Sequence, residues 1–178
     1  MTAAAGSAEL GRSLEAAAAI CIDSLQSGGK VLFAGNGGSA GDAQHLAGEF
    51  LCRFNFDRRP LPGIALTTDS STLTAIANDY AFDQVFARQL EALGRPGDVF
   101  IGISTSGRSK NIIAALDVAR RQGVRCIGLT GATGGDMATL CDTVIKVPSD
   151  KTPLIQQVHI TVGHILCDLI EQELCGNA

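Results

Sequence analysis

Features that mark several other classes of protein are missing from this sequence. No apolar run approaches the roughly 20 residues that a membrane-spanning helix needs. Residues 1–9 lack the basic and apolar segments of a signal peptide. No Cys-x-x-Cys pair occurs among the six cysteines, which argues against a zinc knot. We therefore expect a cytoplasmic protein without membrane contact, whose cysteines are reduced core residues.

Charge is also sparse. Only 18% of the residues are charged and the formal net charge is −4, which argues against non-specific binding of nucleic acid. A local basic patch formed by Arg53, Arg58 and Arg59 remains open. The 178 residues contain no linker, repeat or low-complexity tract beyond an Ala-rich start. We expect one domain, with an N-terminal helix in 1–27 and an α/β core with a closing helix in 28–178.

Short apolar runs alternate with helical periodicity along the chain. We predict strands at 30–34, 63–66, 98–103, 125–130 and 143–147, and helices at 8–26, 40–52, 71–78, 83–93, 110–122 and 153–174. Because the strands are continuous apolar runs, they are expected to be buried on both faces. The pattern predicts the α/β class: a doubly wound, open sheet of five parallel strands flanked by helices.

Two polar loops directly follow predicted strands, at the strand ends where such sheets bind ligands. The glycine loop, residues 35–39, lets a ligand approach the backbone closely. It is a weak dinucleotide motif, since no acidic residue ends a second strand about 20 residues later. The hydroxyl loop, residues 104–109, precedes a helix and suits a phosphate, although it lacks the lysine of a P-loop. Alternatively, this loop is a simple turn with Ser109 as a helix cap.

All three histidines lie in predicted helices. His45 and Glu49 are four residues apart and share a helix face, where they can bind a metal or move a proton. Such a pair is more often a weak surface contact. His159 and His164 are five residues apart in an apolar helix and point to different faces, so at most one belongs to a given site. The other interpretation is a hydrogen-bonded core histidine.

Together these motifs resemble the sugar isomerase (SIS) domain family and, within it, the phosphoheptose isomerases. The resemblance begins at about Ser24. Besides the two loops, the matching segments are Gln44-His45 with Glu49, Leu66-Thr67-Thr68-Asp69, Ala75-Ile76-Ala77-Asn78-Asp79, Phe86 with Arg88-Gln89, and Ile155-Gln156 with His159. One departure is Thr152-Pro153-Leu154, where family members commonly carry Thr-Ala-Arg.

The resemblance implies an aldose–ketose isomerase that interconverts sedoheptulose 7-phosphate and D-glycero-D-manno-heptose 7-phosphate through an enediol, in lipopolysaccharide precursor synthesis. It implies Glu49 and His164 as the catalytic acid–base pair. It also implies a zinc ion, one per site, whose ligands are His45, Glu49, Gln156 and His164. The implied substrate contacts are Asn36, Gly37, Gly38, Ser39, Glu49, Arg53, Asn78, Asp79, Ser104, Thr105, Ser106, Ser109 and Gln156.

The family further implies a homotetramer. Gln156 and His164 are eight residues apart on one predicted helix, a rise of about 12 Å, so one ion can hardly contact both from a straight helix. We therefore expect sites shared between subunits, unless the helix bends near Gly163. Two other functions remain open. One is a non-catalytic SIS protein of the DnaA initiator-associating type, which is expected to lack the equivalents of Glu49 and His164. The other is a regulatory module that binds sugar phosphate without turnover.

Overall fold

Five parallel strands form the centre of the fold, in the order β2-β1-β3-β4-β5. The structure is a computed structural model that describes residues 6–176. Its strands are β1 Val31–Gly35, β2 Gly63–Ala65, β3 Val99–Ile103, β4 Arg125–Thr130 and β5 Thr143–Lys146. Its helices are α1 Ala8–Gln26, α2 Gly38–Leu51, α3 Ser70–Asp79, α4 Ala87–Leu93, α5 Lys110–Arg121 and α6 Thr152–Cys175, with 3₁₀ turns at Phe82–Gln84 and Gly135–Thr139. The predicted fold class is confirmed.

Each face of the sheet carries its own apolar core, because successive side chains of a strand point to opposite faces. Phe33 and Ile101 lie in the core under α1, α2 and α6. Leu32 and Phe100 lie in the core under α4 and α5. All four side chains are fully buried, and each such burial is worth about 1.5–3 kcal/mol. The two cores therefore hold helices against both faces of the sheet. The polar loops emerge from the ends of strands in this sheet.

Most predicted boundaries shift by one or two residues. α2 begins at Gly38 instead of residue 40, because Gly37 has a φ of 57° and turns the chain directly from strand into helix. The predicted helix at 83–93 is divided. The N–H of Val85 donates to the carbonyl of Phe82 in a 3₁₀ turn, and α4 begins only at Ala87.

The strand order reverses between β1 and β3, and this reversal brings the two polar loops together. β1 and β3 pair in parallel up to Gly35 and Ile103. The glycine loop leaves β1 and the hydroxyl loop leaves β3 at the same edge of the sheet, so the loops are neighbours. Open parallel sheets bind ligands in the crevice at such a reversal.

The cysteines are free thiols and lie mostly in the core, as expected. Cys52 is the exposed exception. Burial raises the pKa of the Cys126 thiol to about 12, so this side chain stays protonated and unreactive. Within residues 6–176, no helix has the length and apolar character needed to cross a bilayer.

Candidate active site

Two helices bring three side chains with metal-binding groups together. His45 and Glu49 lie one turn apart on α2, with 3.3 Å between His45 Nε2 and a carboxylate oxygen of Glu49. His164 reaches them from α6, and its Nε2 lies 2.8 Å from Nε2 of His45. One ligand atom from each of the three side chains lies within 4.8 Å of the others. We call these three residues the His–Glu–His cluster.

Close helix packing explains why the two imidazoles meet. Gly163 of α6 is buried, and a Cβ built on it would lie only 2.6 Å from a methyl of Leu46. Glycine therefore lets α6 approach α2 closely at this point. His164 and His45 are the sequence neighbours of the two residues in contact. α6 continues through Gly163 as one α-helix, so the glycine serves packing.

The His–Glu–His cluster is partly open to solvent. The side chains of His45 and Glu49 are 48% and 23% exposed, which leaves a side from which a ligand can enter. The ring of Phe54 packs against His164, with 5.5 Å between ring centroids. Two imidazole nitrogens and one carboxylate oxygen form a ligand set that zinc accepts. The donor set therefore fits a metal ion.

A buried ion pair holds the segment between α2 and β2, and sequence reasoning did not find it. Arg58 Nε donates to Glu171 at 2.7 Å, and the two side chains are 4% and 0% exposed. Arg58 also donates to the carbonyl of Glu49 at 2.9 Å, while Glu171 accepts the N–H of Phe54 at 2.8 Å. Burial opposes ionisation of Glu171, but hydrogen bonds from the backbone and Arg58 outweigh it and lower its pKa. The ion pair thus holds the backbone at Glu49, within the cluster, and at Phe54, which packs against His164.

This ion pair removes Arg58 from the basic patch that the sequence left open. Its guanidinium faces a buried carboxylate, whereas Arg53 and Arg59 are exposed. Arg53, an expected substrate contact, lies just beyond the end of α2 and four residues after Glu49.

The hydroxyl loop directs its side chains toward one another. Ser109 stands at the N-cap position of α5, but its side chain does not cap the helix. Its hydroxyl instead lies 2.8 Å from that of Ser104, which lies 3.4 Å from that of Ser106. The cap interpretation of the Ser109 hydroxyl is therefore wrong. Thr105, between them, is half-buried.

Neither helix at the strand reversal has a side-chain cap. α2 begins after Gly37, which has no side chain, and α5 begins after Ser109, whose hydroxyl oxygen accepts no hydrogen bond from the first N–H groups of the helix. The N–H groups at a helix start carry a partial positive charge and favour an anion. Two such helix starts beside a set of hydroxyls suit a phosphate group.

The predicted contacts around the glycine loop pack closely. Ser39 is buried and Asn36 is half-buried. Gln156 of α6 lies directly on Gly38, because a Cβ at Gly38 would lie 2.5 Å from Gln156 Nε2. In this chain Gln156 therefore sits at the start of α2 and not beside His164.

Among the described residues, Asn78 and Asp79 bond to each other and not to the residues around the glycine loop. Both are exposed at the end of α3, where the Asn78 amide donates to the Asp79 carboxylate at 2.8 Å. Among the hydrogen bonds of residues 6–176, none links Asn78 or Asp79 to the two loops.

His159 is a core residue. It is 1% exposed, and its Nε2 donates to the carbonyl of Thr130 at 3.1 Å. Burial lowers its pKa to about 4, and the hydrogen bond to Thr130 only partly opposes this shift. His164 is therefore the histidine of α6 that joins the candidate site.

Comparison with known proteins agrees with this geometry. Residues 3–131 match the family model of the SIS domain. The chain belongs to the SIS domain family. A phosphoheptose isomerase from Aneurinibacillus thermoaerophilus is 59% identical over 169 residues, which cover 95% of this chain and 85% of that protein. The family expected from the sequence is thus confirmed.

Solved structures from this SIS family are also similar to the chain. A phosphoheptose isomerase from Neisseria gonorrhoeae has a TM-score of 0.86 at 45% identity. One from Francisella tularensis has a TM-score of 0.88 at 42% identity. Each match covers 90% of this chain and 86% of the other.

Proposed function

We propose that this protein is an aldose–ketose isomerase that interconverts sedoheptulose 7-phosphate and D-glycero-D-manno-heptose 7-phosphate. The observation that carries the proposal is the His–Glu–His cluster, in a chain 59% identical to a phosphoheptose isomerase. Glu49 and His164 are both present and adjacent, which disfavours the non-catalytic alternative of the DnaA initiator-associating type. The family supports work in the cytoplasm, in the supply of heptose for lipopolysaccharide.

The hydroxyl loop binds the phosphate group of the substrate, at the end of the molecule that does not react. Hydroxyls of residues 104–106 and Ser109, with the N–H groups at the start of α5, bind the phosphate. Ser39, buried at the start of α2, is a further proposed contact of the substrate. Binding energy from the phosphate positions the sugar carbons for reaction.

The reaction moves a carbonyl between C1 and C2 of the sugar. Glu49 takes a proton from the carbon that bears the hydroxyl, and an enediol forms. His164 moves a proton between the two oxygens, and Glu49 returns its proton to the other carbon. The N–H groups of Gly37 and Gly38 and the amide of Gln156 orient the sugar. Arg53, Asn78 and Asp79 complete the proposed substrate contacts.

The ligands proposed for zinc are the His–Glu–His cluster and Gln156. When bound, the ion supplies Lewis acidity that polarises the carbonyl oxygen of the sugar. Within one chain Gln156 packs on Gly38, whereas His164 lies beside His45. The family supports a homotetramer, and this separation supports sites shared between subunits, in which the amide ligand comes from a neighbouring chain.

A coupled assay for the loss of sedoheptulose 7-phosphate tests the proposed function. The purified protein is expected to consume this substrate and to form the aldose heptose 7-phosphate. Unphosphorylated sedoheptulose is expected to react at least about a hundredfold less efficiently, because it lacks the group that the hydroxyl loop binds. Absence of turnover, both with and without added zinc, would contradict the proposal.

A further inference from the structure

A reciprocal pair of carboxamides joins the glycine loop to α5. The side-chain amide of Asn36 donates to the oxygen of Asn111 at 2.9 Å, and the amide of Asn111 donates back to the oxygen of Asn36 at 2.8 Å. Asn36 directly follows β1. Asn111 is in the first turn of α5, two residues after Ser109. The pair therefore connects the two loops that flank the proposed substrate.

The backbone alone does not tie these loops together. Pairing between β1 and β3 ends at Gly35 and Ile103, the points from which the loops continue. Asn111 is only 2% exposed, and a buried amide left without a partner is destabilising. Two antiparallel hydrogen bonds between planar amides also fix their relative orientation. The carboxamide pair therefore sets both the separation and the orientation of the loops.

We propose that Asn111 is a positioning residue that sets the separation of the two loops and so the length of sugar phosphate that fits. This inference rests on the proposed function, because it assigns the phosphate to the hydroxyl loop and the sugar to the glycine loop. Asn36 keeps one N–H and one lone pair for the sugar, and its amide plane is held by Asn111. A sugar phosphate gains full affinity only when both loops are held at the correct distance.

Backbone hydrogen bonds that do not involve the carboxamide pair also hold the hydroxyl loop. The N–H of Gly131 donates to the carbonyl of Thr105 at 3.0 Å, and the N–H of Met137 donates to the carbonyl of Gly107 at 3.2 Å. Loss of the carboxamide pair is therefore expected to leave the phosphate site formed while it releases the glycine loop. This difference separates a positioning role from a general loss of structure.

The experiment measures Kd for inorganic phosphate and for sedoheptulose 7-phosphate by calorimetry. The variant Asn111→Leu keeps the approximate shape of the side chain and removes both hydrogen bonds. We expect its Kd for phosphate to stay within about twofold of the original and its Kd for the sugar phosphate to rise roughly tenfold, the scale of one or two lost hydrogen bonds. The matched control is Ile112→Val, which thins the packing of the same helical turn at a residue that is 0% exposed. It is expected to leave the ratio of the two Kd values unchanged.

Equal weakening of both ligands in Asn111→Leu, or weakening of neither, would overturn the proposal. If Asn111→Leu fails to fold, Asn111→Ala makes the same comparison with a smaller side chain. An original protein that binds sugar phosphate without turnover would contradict the isomerase function, while the ratio of Kd values would still decide the role of Asn111. An original protein that binds neither ligand would overturn both.

Discussion

Ser106 and Ser109 test the phosphate site at the scale of single residues. Ser106 is exposed, and the Ser109 hydroxyl is not used to cap α5. The double replacement Ser106→Ala and Ser109→Ala removes two donors, each worth roughly 0.5–3 kcal/mol depending on charge. Binding of sugar phosphate is expected to weaken, while binding of unphosphorylated sedoheptulose changes little, as measured by calorimetry.

The matched control is Ser13→Ala on α1, whose hydroxyl donates to the carbonyl of Leu10 in the same helix. It is expected to change neither affinity. If the double variant weakens the phosphorylated and the unphosphorylated sugar equally, the phosphate is bound elsewhere.

His159 gives the protein a defined dependence of stability on pH. Its folded pKa of about 4 lies below the ordinary value of 6.5, so the unfolded chain binds a proton first as the pH falls. The stabilisation is complete above pH 6.5 and is lost between 6.5 and about 4. At about 1.4 kcal/mol per pKa unit, the loss amounts to about 3 kcal/mol.

Unfolding by urea across this pH range measures the effect. The variant His159→Gln keeps a donor for the carbonyl of Thr130 but does not titrate, so its stability is expected to vary less between pH 6.5 and 4. The lowered pKa of Glu171 acts at lower pH, below the ordinary carboxyl value of 4.5. The same pH slope in both proteins would contradict the assignment to His159.

Spacing in sequence predicts contacts within a helix but not contacts between elements. His45 and Glu49 are four residues apart, and this spacing was enough to predict their contact. By contrast, Asn111 pairs with a residue 75 positions away, and Arg58 pairs with one 113 positions away. These partners depend on how helices pack, and a single sequence contains no local signal that identifies them.

At the scale of elements, Gly163 controls the approach of α6 to α2. The variant Gly163→Ala places a methyl 2.6 Å from Leu46, so either the Leu46 side chain or the helix must shift. Because Leu46 is itself buried, we expect the helices to separate and the His45–His164 contact to lengthen. Overpacking of this kind costs about 1–3 kcal/mol. We expect a lower free energy of unfolding, measured with urea, and a turnover lowered by roughly tenfold or more.

Gly11→Ala on α1 is the control, since nothing lies within 4 Å of the added Cβ. Alanine favours a helix over glycine by about 1 kcal/mol, so this variant is expected to keep its activity and to be at least as stable as the original protein. Full turnover in Gly163→Ala would show that the close approach of the helices is not needed.

Glycine-rich and aromatic segments explain where element boundaries were missed. Composition predicts a loop at Gly37 and Gly38, although Gly38 already belongs to α2. Only the positive φ of Gly37 decides where the chain turns, and composition does not reveal it. Around Phe82, tight 3₁₀ bonding replaces the expected first helical turn. By contrast, a long apolar periodicity predicts a helix at residues 8–26, and α1 has these bounds in the structure.

At the scale of the whole molecule, the alternation of apolar strands with helices predicted a parallel sheet covered on both faces. Strand order was not predicted, because it depends on the side to which each crossover passes and not on local pattern. The glycine loop and the hydroxyl loop are neighbours because the strand order reverses between β1 and β3. The site therefore became recognisable as a single crevice only in the folded chain.

Subunit exchange tests the proposal of shared sites. Gln156→Ala and His164→Ala are each expected to be inactive as pure proteins. After mixing under conditions that exchange subunits, shared sites predict that some sites regain both residues and that activity returns in part. Absence of recovery, with exchange demonstrated by a tagged subunit, would mean that each chain completes its own site.

The central claim is that Glu49 removes a proton from a sugar phosphate. The turnover of Glu49→Gln with sedoheptulose 7-phosphate tests it most directly, because glutamine keeps the size of the side chain and cannot accept the proton. We predict a fall in kcat of at least about a hundredfold, with circular dichroism nearly unchanged. Near-normal turnover by the folded Glu49→Gln protein would contradict the claim.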